Sequence, residues 1–155
     1  MKPADFLKMT EKYLANLEKA KRSAVKVGLP LEKVGSKVYG PGITIIMVGA
    51  WHEYGFGNNP VRSFLRVPFR KKADEMNRFI AKQFNDVCFE GVDAIKALNL
   101  IGVKATNISK DAFQTSGWGE WAPNQPQTVR RKKSSKPLVN TKVLGNSITW
   151  QVTGA

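Results

Sequence analysis

Three stretches of this chain repeat their apolar residues at three- and four-residue steps and two short ones alternate them, which confines the fold to helices packed on a small sheet. Residues 4 to about 24 set Phe6, Met9, Tyr13, Leu17, Ala20 and Ala24 on one helical face, with Lys and Glu between them. Asp5 in the first turn, and Lys19, Lys21 and Arg22 near the end, suit the helix dipole. A second helix is expected from Phe64 to about Glu90, its face made by Met76, Phe79, Ile80, Phe84 and Val87, with Pro68 in or just before its first turn. A third runs from about Val92 to Phe113 through Ile95, Leu98, Ile101, Ala105, Ile108 and Ala112, with Gly102 weakening its middle. AVKVGLP and SITWQVTGA alternate as strands, YGPG (39–42) is a turn, and ITIIMVGAW (43–51) reads as a strand because it is rich in β-branched residues. The expectation is an α+β domain. An N-terminal helix leads into a two- or three-strand meander, and two or three helices pack on one face of a small, mostly antiparallel sheet.

Residues 114 to 136 break this pattern: they are poor in aliphatics and full of Gly, Pro, Asn and Ser. That is far longer than an ordinary connection, so a loop that orders on assembly is expected there, mobile in a free monomer. The 155 residues, 42% apolar and 24% charged, suit one domain spanning 1–155. No apolar run approaches the ~18 residues needed to cross a bilayer, and the N-terminus lacks the apolar centre of a signal peptide, so no membrane partner is expected. The single cysteine, Cys88, excludes an intrachain disulfide and a cysteine-based zinc cage. Twenty-five Lys+Arg against 12 Asp+Glu leave a net charge of +13, which favours nucleic acid or an acidic protein face as partner.

Chemistry is sparse. His52 and Glu53 form no HExxH pattern and have no second ligand cluster, and the GPG and GFG glycines lack a phosphate-loop context. Neither a catalytic constellation nor a cofactor or metal site is legible, and the chain is expected not to be an enzyme. His52 and Glu53 read instead as polar groups at the end of the 43–51 strand that fix the next loop by hydrogen bonds. Trp51, Tyr54, Phe56, Phe64 and Phe69 crowd the central loop, as core or as interface anchors. Trp118 and Trp121 lie in polar surroundings that favour a neighbouring surface. Arg130, Arg131, Lys132 and Lys133 repel one another and favour an extended segment that meets something anionic, a protein face first and DNA second.

Two passages, in this order, resemble the virion-morphogenesis, or tail-completion, proteins of tailed bacteriophages. The first, residues 48 to 66, carries Ala50, His52, Glu53, Tyr54, Gly55, Pro60, Arg62, Phe64, Leu65 and Arg66. The second, residues 116 to 152, carries Gly117, Trp118, Thr128, Lys133, Pro137, Leu138, Thr141, Leu144, Ser147, Ile148, Thr149 and Trp150. The chain departs from the pattern at Asn140-Thr141-Lys142, where the family carries Asp-Thr-Gly, so the acid and the turn glycine are both missing. The resemblance implies a structural virion protein made in the host cytoplasm. It would form a homo-oligomeric ring, a hexamer or alternatively a dodecamer, in the neck between the portal or head–tail adaptor ring and the tail terminator, possibly touching DNA in the channel. Arg62, Arg66, Trp118, Trp121 and the Arg130–Lys133 run would then face adjacent subunits. The rival expectation is a small basic nucleic-acid-binding protein.

Overall fold

The computed structural model describes residues 3–35, 38–132, 135–138 and 142–154, without the side chains of 3, 38, 39, 131 and 132. The fold is mixed α+β, as the two periodicities require. Helix α1 (Pro3–Arg22) is followed by strand β1 (Ala24–Gly28) and a one-turn helix α2 (Leu31–Val34). Strands β2 (Val38–Gly40) and β3 (Ile43–Thr44) form a hairpin around Pro41-Gly42, and the φ of +69° at Gly42 is what a turn with proline before glycine demands.

The apolar run 43–51 is not the expected strand. It breaks at Thr44, whose extended backbone and side chain, accepting from the Met47 N–H at 3.2 Å, start helix α3 (Ile45–Tyr54). A short run that is apolar on every side carries no period to separate strand from helix, and here the cap decides. The expected second helix is likewise two, α4 (Arg66–Lys71) and α5 (Ala73–Phe89), parted at Lys72 with φ −107° and ψ 20°. Helix α6 (Ala94–Gln114) matches its expectation and starts on Asp93, which accepts from the Lys96 N–H at 3.0 Å. Then come α7 (Pro126–Lys132), α8 (Val143–Ser147) and β4 (Thr149–Thr153).

No meander forms. β1 pairs antiparallel with β4, the far end of the chain, from Ala24 opposite Thr153 to Gly28 opposite Thr149. This ribbon lies on α6, where a Cβ on Gly102 would sit 2.2 Å from the Trp150 ring. The glycine that weakened the helix in sequence is therefore the seat of a tryptophan. The Trp150 indole N–H donates to Asn99 at 2.9 Å, and Lys33 of α2 donates to the Trp150 carbonyl at 2.7 Å, closing that strand's outer edge. Asn16 of α1 donates to the Val92 carbonyl and accepts from the Ala94 N–H, both at 2.8 Å, so the second half of α1 is fixed to the start of α6.

The main core joins Val34, Ile45, Val48, Phe64, Ala112, Phe113, Trp121, Leu138, Leu144 and Ile148. Phe64, left open as core or interface anchor, is core, buried among α3, α6 and α8; its carbonyl accepts from Ser109 of α6 at 2.6 Å. A smaller core joins Ala20, Val87, Ala94 and Ala97.

Candidate functional site

The first family-like passage closes on one carboxylate. Glu53, 3% exposed at the end of α3, accepts from Ser63 Oγ at 2.7 Å and from the N–H groups of Phe64 (2.8 Å), Leu65 (3.0 Å) and Arg66 (3.0 Å). Arg66 Nε adds a fifth bond at 3.0 Å, and its Nη2 donates to the Glu53 carbonyl. These N–H groups are the open donors at the start of α4, so a carboxylate far away in sequence caps that helix, with Ser63 Oγ taking the Val67 N–H at 3.0 Å. Burial pushes the Glu53 carboxyl up, but the hydrogen bonds from Ser63, from the Arg66 and Leu65 amides and from the Arg66 side chain together hold it below the usual carboxylate range. Gly55 follows with φ +82°, where an added Cβ would meet Val61 at 3.0 Å.

Arg62 and Arg66 were expected to point outward; Arg62 turns inward, whereas Arg66 stays partly outside. Arg62 is 6% exposed, and its guanidinium donates to the carbonyls of Ala122 (3.0 and 2.9 Å) and Pro123 (3.1 Å). Burial pulls its pKa down, yet an arginine starts so far above neutral that it keeps its charge. Arg66 is half in solvent, its guanidinium 4.4 Å from the centre of the exposed Tyr54 ring. Each arginine donates to backbone carbonyls, Arg62 to those of Ala122 and Pro123 and Arg66 to that of Glu53, while the Glu53 carboxylate takes the three amides.

The segment 114–136 is not a free loop. Gly117 N–H returns to the Ala112 carbonyl at 2.7 Å, and Ser116, Gly117, Trp118 and Gly119 all have positive φ. This left-handed turn swings Trp121 back onto Phe113, edge to face at 5.6 Å, so Trp121 is core and not an exposed anchor. Trp118 is half-buried against the same core. The basic run is not extended at its start either. Pro126 opens α7, which carries the backbone through Lys132 with Thr128 and Val129 half-buried, and Arg130 is exposed. Lys133 and Thr141 lie outside the described residues.

The remaining motif residues are structural in their placement. Pro137, Leu138, Ser147 and Ile148 are buried, Leu65 and Trp150 are half-buried, and Pro60 is exposed. His52 gives its carbonyl to the Arg62 N–H at 2.7 Å. Sequence reasoning missed Ser63 and Ser109, whose hydroxyls close the clasp. It also missed a groove of about 560 Å³ where Lys110, Lys136 and Lys142 converge beside Gln114 and Asn146. Among the described residues no group of three or more His, Cys, Asp or Glu is placed to hold a metal, and no helix is long and apolar enough to cross a membrane. No protein-family model, curated protein or solved structure matches this chain.

Proposed function

We propose that this chain is a structural subunit of a bacteriophage neck, a homo-oligomeric ring that joins the portal or adaptor side of the head to the tail terminator and catalyses no reaction. The observation that carries the reading is the union of the two family-like passages. Arg62 of the first holds the carbonyls of Ala122 and Pro123 in the second, and Phe64 shares a core with Leu138, Leu144 and Ile148. Residues that resemble a family's signature thus serve one scaffold. A second fit lies at the departure from the pattern. Lys142 stands where the family has glycine and holds φ +58°, a conformation glycine adopts without strain.

The test is a joining assay. A lysate of the virus lacking this chain should hold separate filled heads and finished tails, and purified protein should join them. Replacing Arg130, Arg131, Lys132 and Lys133 together by Gln should abolish joining; heads and tails that join without the protein would refute the proposal.

One observation favours the second reading, duplex binding: the lysine-lined groove at Lys110, Lys136 and Lys142. If DNA is the partner, affinity falls steeply with salt, and Lys110→Gln with Lys142→Gln flattens that slope by about two counterions.

A further inference from the structure

The first three turns of α1 carry an apolar face with no core beneath it. At about 100° per residue, Met9, Tyr13, Phe6, Leu14 and Leu7 span a sector of roughly 160°, as wide as that of a helix buried in a domain. Burial reaches only its C-terminal half, at Asn16, Leu17 and Ala20. Phe6, Leu7, Met9 and Leu14 are 52%, 61%, 56% and 55% exposed. The face continues past Met9 and Tyr13 into a groove of about 710 Å³ that reaches Cys88 and Phe89, the latter 77% exposed. A contiguous apolar patch of this kind marks a contact.

Charge identifies the occupant. Between residues 4 and 15 the chain has two acids, Asp5 and Glu11, and two bases, Lys8 and Lys12, so this stretch is neutral in a chain of +13. A second copy therefore meets little net repulsion there. The two flanks also differ. Glu11 and Glu18 border the Leu7–Leu14 edge, whereas Lys12 and Lys19 border the Met9–Tyr13 edge, with Asp5 interrupting the second only in the first turn. Glu18 also meets Arg22 on its own helix at 3.4 Å, a pair open to solvent. Helices side by side and parallel bring the acidic flank of one to the basic flank of the next; antiparallel ones set like against like. We infer that the first three turns of α1 form the contact between subunits, each packing parallel to the α1 of the next copy. In the ring the contact is heterologous, the acidic flank of each α1 meeting the basic flank of the next.

This inference rests on the ring reading for its occupant, and the experiment separates the two. Sedimentation of the full chain over a concentration series at physiological salt should show a ring-sized species for the wild type. Leu7→Glu with Leu14→Glu should shift it to monomer with an unchanged melting point, because both side chains are exposed. Glu11→Lys with Glu18→Lys should weaken association about tenfold, and adding Lys12→Glu with Lys19→Glu should restore it. Rings that survive the Leu7/Leu14 change overturn the α1 contact and leave the ring standing. A failed charge rescue overturns the parallel arrangement. A wild type that stays monomeric throughout removes both.

Discussion

Replacing Glu53 with glutamine exchanges one acceptor oxygen for an NH2 group at a place where every neighbour is a donor. Oε1 accepts from Ser63 Oγ, the Arg66 N–H and Arg66 Nε, and Oε2 accepts from the Phe64 and Leu65 N–H groups. Whichever way the amide turns, at least two of five bonds are lost and two donors face a donor. Bonds to a charged acceptor contribute about 1.5–3 kcal/mol each, and removal of the buried charge returns part of its desolvation cost. The net loss should be about 3 kcal/mol, or roughly 6–12 °C in Tm for a chain of this size. The pH dependence is more specific. The folded carboxyl binds its proton less tightly than the unfolded one. Its contribution is therefore complete above the ordinary value of about 4.3 and is lost as pH falls through the lower folded value. Urea unfolding of wild type and variant should give a constant gap from about pH 8 to 5 that narrows below about 4. A gap under about 0.5 kcal/mol at neutral pH, or one that stays constant down to about pH 3, would refute the clasp as the cap of α4.

Three further outcomes follow from the packing. Arg62→Ala should cost about 2–3 kcal/mol and speed hydrogen exchange around Trp121–Asn124, because the Ala122 and Pro123 carbonyls lose their anchor. Gly102→Ala should cost about 1–3 kcal/mol or more in thermal melts, and less once Trp150 is also Ala, since the added methyl lands on that ring. Lys142→Gly should raise stability by up to about 1 kcal/mol in urea unfolding, by relieving a left-handed backbone.

Period made α1, α6, β1 and β4 legible, because each repeats its apolar residues at the spacing of its own backbone, and Asp93 marks the start of α6. The run 43–51 was not, since it has no polar side to set a period and its helix depends on one hydroxyl at Thr44. The stretch after Phe64 read as one helix because the break at Lys72 leaves the spacing intact, and the tether that aims α4 comes from Glu53. Arg62 and Trp121 were misplaced for a common reason. Their partners, two carbonyls and Phe113, are brought near only by the tertiary fold, so a polar neighbourhood in sequence gave no sign of a buried one. The glycines of SGWG were the one available signal that the chain reverses there.

Electron cryo-microscopy of intact virions tests the central claim most directly. The account predicts a closed ring of this chain at the head–tail joint, its subunits in contact through the first turns of α1. Purified, infectious particles with no density for the protein at the joint, while it is recovered from the lysate bound to DNA, would contradict it.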